Sequence, residues 1–216
     1  MGVRIHSGHG LNILLARCKM DRRDCHINCP FPSYHMANRI ADELLKMIIA
    51  PSLHVSDDRF SSVSNTAFGC NVNFPSSSVL LVCKKWLRIA TPLLYKVVVL
   101  RSTAQAQAIV EAFSRNPKFP LYVKKIRLEG AYSCLWDVFR RCSNLHTLCF
   151  TLDIYAAVTA TGLCRSLLSI NPTRVILRDQ SETKNVKIER VFCKLLECIP
   201  LWTNLVSLLS PAIPVS

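Results

Sequence analysis

The sequence predicts an α/β chain in which a short helical module is followed by an array of alternating strands and helices. Three observations predict it. Across residues 80–100, LLVCKKWLRIATPLLYKVVVL, the apolar residues fall at helical steps up to Ile89 and end in the run Val97-Val98-Val99-Leu100, which has the β-branched composition of a buried strand. Beyond it, strand-like segments recur with centres about 22–31 residues apart, separated by helical periodicity. Ahead of it, Ile40, Leu44, Leu45, Ile48 and Ile49 share one broad face of a helix predicted over residues 37–50.

The helical module is predicted over residues 37–95, after an N-terminal extension at 1–36 with no sustained periodicity. Its first helix starts at Asn38 or Ala41, has Asp42 and Glu43 where the helix dipole favours negative charge, and is expected to stop at Pro51. Residues 51–78, rich in serine, asparagine and aspartate, read as a long inserted loop pinned by Phe60, Phe68 and Phe74. The next helix sets Val82, Cys83, Trp86 and Ile89 on one side. Thr91-Pro92 is expected to break it, because the residue before a proline is pushed out of the helical region.

Residues 96–216 carry the array. Strands are predicted at Lys96–Leu100, Val123–Leu128, Leu145–Thr151, Arg174–Leu177 and Asn204–Leu208, with helices over 102–115, 131–141, 161–169 and 184–199. Ser143-Asn144-Leu145-His146-Thr147-Leu148 and Thr203-Asn204-Leu205-Val206-Ser207-Leu208 repeat an L-x-x-L form with asparagine before the first leucine. One strand and one helix per unit at this spacing predict an irregular leucine-rich-repeat-like solenoid. Alternation along each strand turns one side to the helices and the other to a concave surface, where His146 is expected to point. No polar capping repeat follows Leu208, so the array is expected to be part of a longer one.

Composition narrows the function classes. Half of the 216 residues are apolar and the net charge is +13, spread along the chain instead of gathered in a tail. A diffuse basic surface suits acidic partners; no zinc-finger, helix-turn-helix or RNA-binding signature accompanies it, so no specific nucleic-acid contact is expected. No apolar run approaches the ~20 residues of a membrane span, and a cytoplasmic or nuclear protein is expected. The cysteines number eleven, an odd count. Cys83, Cys134, Cys149, Cys164, Cys193 and Cys198 lie in apolar segments, as buried reduced thiols do. Cys18, Cys25, His26, Cys29 and His35 lack the two tight ligand pairs of a zinc site. With six glycines and no nucleophile elbow, metalloprotease or phosphate-loop motif, the chain is not expected to be an enzyme, and no cofactor is expected. Glu129 and Asp153 read as strand-end charges.

Two segments carry a family resemblance. Ile40-Ala41-Asp42-Glu43-Leu44-Leu45 with Ile48 resembles the opening of an F-box, and Leu81-Val82-Cys83-Lys84-Lys85-Trp86 resembles its closing helix. The longer run through Leu94-Tyr95 is similar to fungal, basidiomycete-type F-box-like proteins with a leucine-rich-repeat-like C-terminal region, in which a serine-rich insertion is common. Ala41 stands where the family usually has proline. The resemblance implies the substrate-recognition subunit of an SCF-type ubiquitin ligase. Ile40, Leu44, Leu45, Ile48, Val82, Cys83 and Trp86 would dock on the acidic adaptor, and through it on the cullin. Lys84, Lys85 and Arg88 would suit that acidic partner, and the repeats would hold a protein substrate. The alternative is a repeat scaffold that no longer joins a ligase.

Overall fold

Five strands carry the fold. β1 (Val97–Leu100), β2 (Lys125–Leu128), β3 (Thr147–Thr151), β4 (Arg174–Arg178) and β5 (Ser207–Leu209) form one all-parallel sheet in sequence order. The computed structural model describes residues 40–62, 76–151, 160–178 and 186–210. Its helices are α1 (Asp42–Leu53), α2 (Asp57–Ser61), α3 (Lys84–Tyr95), α4 (Thr103–Arg115), α5 (Phe119–Tyr122), α6 (Leu135–Phe139), α7 (Thr161–Leu167) and α8 (Val186–Cys198). Short 3-10 turns cover Ser76–Leu81 and Ile199–Leu201. Each of the five predicted strand segments contains a strand, although β2 and β3 begin two residues later than expected and β5 only at Ser207, and the four helices predicted among them are α4, α6, α7 and α8.

Alternation along the strands separates two faces. Val98, Leu100, Ile126, Leu128, Leu148, Phe150, Val175 and Leu177 join one core with buried residues of α4, α6, α7 and α8. The opposite face carries, in register, Val97, Lys125, Thr147 and Arg174 in one row and Val99, Arg127, Cys149 and Ile176 in the next. Thr151 and Arg178 begin a third row. A repeated main-chain pattern sets this register. Lys96 O accepts from the N–H groups of Lys124 and Lys125, Lys124 O from His146 and Thr147, His146 O from Thr173 and Arg174, and Thr173 O from Val206 and Ser207, all at 2.8–3.2 Å. One carbonyl ahead of each strand thus takes two donors from the next unit. The asparagines tie the same corners: Asn144 Nδ2 donates to Leu121 O at 2.8 Å, and Asn171 Oδ1 accepts from Asn204 N at 3.0 Å.

Neither proline ends its helix. α1 runs through Pro51 to Leu53, and α3 through Pro92 to Tyr95. A proline inside a helix costs about 3 kcal/mol, from the lost hydrogen bond and the ring's clash with the preceding turn. Burial beyond the proline offsets it. Leu45, Ile49 and Leu53 form a buried stripe at four-residue steps, and Ala90 with half-buried Leu93 and Leu94 packs against it. Tyr95, one residue from β1, stacks on Phe119 with ring centroids 4.5 Å apart and fixes α3 to the array.

The start of α3 also differs from expectation. Residues 76–81 form a 3-10 turn, Val82 lies in a bend, and Cys83 is the extended residue ahead of the helix, with φ −165° and ψ 171°. Val82 and Cys83 therefore share no helix face with Trp86; the apolar spacing passes through a helix start. The predicted loop at 51–78 is helical at its beginning, through the end of α1 and α2, and ends in the 3-10 turn. Asn38, Phe68, Phe74, Asp153, the candidate zinc ligands and residues 1–36 lie outside the described residues.

Gly162, near the start of α7, meets the turn before α6 so closely that a Cβ there would lie 2.5 Å from Tyr132 O and 2.7 Å from Ser133 Cα. Helix propensity favours alanine over glycine by about 1 kcal/mol. The clash is with backbone, which cannot swing aside. Gly162→Ala is expected to lower the unfolding free energy by about 1–3 kcal/mol, the usual cost of overpacking. Unchanged or raised stability in chemical denaturation would refute this.

Candidate protein-docking surfaces

The seven residues predicted to dock on an adaptor divide between surface and interior. Leu44, Ile48 and Val82 are exposed, while Leu45 is fully buried. Ile40 and Trp86 are half-buried and pack on the cluster of Leu45, Ile49, Leu53 and Ala90. Cys83 is half-buried. Leu45 is thus corrected from contact residue to core, because it begins the inward stripe of α1. Trp86 packs mainly into that core, and its indole N–H is buried with no acceptor among the described residues. Met47, at 70 % the most exposed of the α1 apolar residues, was missed by the sequence reading. It lies three residues after Leu44, on the face that Leu44 and Ile48 define. Leu81 adds a further exposed apolar side chain beside Val82.

The basic flank is partly spoken for. Lys85 Nζ lies 3.4 Å from Asp42 Oδ1, and Arg88 Nη2 donates to Asp42 Oδ2 at 2.5 Å. Lys85 also donates to the carbonyl of Ile40. The Arg88 hydrogen bond, with Lys85 behind it, holds the Asp42 carboxyl below its usual range. These contacts bolt the start of α1 to α3, and of the three predicted cations Lys84 stays turned to solvent.

The second surface is the sheet face away from the helices. The chain itself covers part of it. α2 and its flanks, residues 54–62, cross this face as a strap. Phe60 is buried against Cys149 and Ile176, with Val55 and Val97 beside them. Asp57 pairs with Lys125 and lies 3.9 Å from Arg174. The Lys125 hydrogen bond, reinforced by Arg174 and opposed by partial burial, draws the Asp57 carboxyl below its usual range.

Arg127 joins the strap to the sheet. Its side chain is fully buried, yet Nη1 donates to the carbonyls of Arg59 (3.2 Å) and Phe60 (3.0 Å), and Nη2 lies 2.8 Å from Glu129 Oε1. Burial, then the neighbouring Arg178, lowers its pKa from the usual arginine value, with Glu129 opposing. Glu129, read as an ordinary strand-end charge, is therefore the counter-ion of a buried guanidinium; it also pairs with Arg101 at 3.1 Å. The planar fork of arginine suits two carbonyls and a carboxylate at once. His146 is not under the strap: it precedes β3, is exposed, and has Nε2 3.5 Å from Lys124 Nζ.

Among the described residues no group of His, Cys, Asp and Glu could hold a metal ion, and no helix is long and apolar enough to cross a membrane. Of the six cysteines expected to be buried, Cys149, Cys164 and Cys198 are, Cys83 and Cys134 are half-buried, and Cys193 is exposed on the outer face of α8. Comparison with protein-family models, curated proteins and solved structures returns no match.

Proposed function

We propose that this chain is the substrate-recognition subunit of an SCF-type ubiquitin ligase, acting by binding and not by chemistry of its own. The observation that carries the reading is the two-sided α1. Leu45, Ile49 and Leu53 bury inward, while Leu44, Met47 and Ile48 stand 55 %, 70 % and 59 % exposed one step around the same helix. Clustered exposed apolar side chains on an otherwise well-packed helix mark a partner surface. The parallel strands in sequence order, the single helix layer and the recurring main-chain bonds support an irregular leucine-rich-repeat-like solenoid behind the F-box-like helices, with a protein substrate held on the sheet face. An intracellular location, cytoplasmic or nuclear, accompanies this role.

The test is co-purification of the full chain with a fungal SCF adaptor. A stoichiometric complex on size exclusion is expected. A folded chain that elutes alone would overturn the ligase reading and leave a non-ligase repeat scaffold. The inward turn of Leu45 and Trp86 and the engagement of Lys85 and Arg88 by Asp42 favour that second reading.

A further inference from the structure

Three features of the strap meet the sheet. One carboxylate, Asp57, meets Lys125 and Arg174; one ring, Phe60, three residues on, fills the space over Cys149 and Ile176; two main-chain carbonyls meet Arg127. The last contact reads backbone and is indifferent to sequence. The first two demand an acid and an aromatic on the same side of one helical turn, the i, i+3 relation. The turn is itself minimal, five residues capped by Ser56 Oγ, and the Asp57 side chain is 63 % exposed. Such an exposed ion pair contributes at most about 1 kcal/mol, so Phe60 and Arg127 supply most of the hold.

We propose that the strap is an internal stand-in for a partner, and that the face beneath it takes a protein segment bearing a carboxylate and, three residues later, an aromatic side chain on a helical turn. Charge complementarity selects this occupant. The covered face brings Lys125 and Arg127 from β2 and Arg174 and Arg178 from β4, on either side of β3, and the strap answers Lys125 and Arg174 with an acid. The aromatic niche, and an Arg127 fork seated on two main-chain carbonyls, set a peptide above a nucleic acid. The inference rests on the reading of the array as a substrate-holding surface and names the chemistry of what is held. Because the strap is tethered, its effective concentration is on the order of millimolar. A partner therefore gains access by bringing further contacts, or after the strap is loosened.

The probe is a fluorescent peptide of the strap's own sequence, residues 54–62, titrated by anisotropy against three full-length chains: native, Phe60→Ala and Asp57→Lys. The last substitution changes a mostly exposed side chain, so the fold is kept while Lys125 and Arg174 repel the strap. The native chain is expected to bind weakly, and at least one folded variant about tenfold or more tighter. A peptide with alanine in place of its phenylalanine, or asparagine in place of its first aspartate, is expected to lose that gain. Folded variants that bind no better than the native chain would overturn the proposal, as would equal binding of the altered peptides. So would salt-sensitive binding of a mixed-sequence oligonucleotide without binding of the peptide, which would assign the face to nucleic acid. No adaptor is present in the assay, so its failure leaves the ligase reading untouched, and failure of adaptor capture leaves this result standing.

Discussion

Replacing Arg127 with alanine is expected to lower the unfolding free energy by about 3–5 kcal/mol, the cost of removing one partner from a buried ion pair. The magnitude follows from what is left behind. Glu129, with its side chain 15 % exposed, would keep Arg101 alone, and the carbonyls of Arg59 and Phe60 would lose their shared donor. A buried polar group without a partner costs about 1–3 kcal/mol, and the missing side chain leaves a cavity under the strap. The substitution is also expected to free residues 54–62, read as faster amide exchange there than in β3 or β4. Arg127→Met with Glu129→Gln is the informative control. It removes both charges and keeps most of the volume, so it is expected to recover much of the loss. A cost below about 1 kcal/mol for Arg127→Ala would mean that the strap carbonyls re-solvate freely and that Arg127 does not hold the strap.

The array was readable because its signals are local. Alternation in Val97–Leu100, the leucines of Leu145–Leu148 and the four- and three-residue steps of Val191, Leu195 and Cys198 each span only a few neighbouring residues. Burial then followed from periodicity. What failed was decided by distant contacts. Pro51 and Pro92 are helix breakers in isolation, and only the packing of α1 on α3 carries both helices past them. The phase of α3 was misread because Val82 and Cys83 continue an apolar spacing that the backbone does not follow. Phe60 was marked as an anchor for its loop, which it is. Nothing near it in sequence said that its seat lay on β3 and β4, nearly ninety residues or more away. Arg127, between Ile126 and Leu128, looked like any polar residue on the open side of a strand. Its burial requires a segment some sixty-seven residues earlier. The same non-locality splits the docking prediction, since a helix with apolar residues on adjoining faces gives no local sign of which face turns inward.

That split supplies the sharpest test of adaptor docking. Leu44→Asp with Ile48→Asp places two charges on the exposed face of α1. Truncating an interface hot spot costs about 2 kcal/mol or more, roughly thirtyfold in affinity. Two buried aspartates at a docked interface are therefore expected to weaken adaptor binding by a factor on the order of a thousand, beyond detection in co-purification. Unfolding is expected to change by only about 0.5 kcal/mol, as for surface positions generally. Leu45→Ala should do the reverse. That side chain is fully buried beside Ile49 and Ala90, so its loss is expected to cost about 2–5 kcal/mol of stability. Any fall in adaptor capture would then track the unfolded fraction. Trp86→Ala belongs with Leu45, since its ring packs on the same cluster; about 3–5 kcal/mol is an upper range for a tryptophan that is only partly buried. The discriminating measurement is capture against fraction folded, from calorimetry and denaturation of the same samples. Full adaptor binding by a folded Leu44→Asp, Ile48→Asp chain would move the docking surface off α1, toward the exposed Leu81 and Val82 ahead of α3.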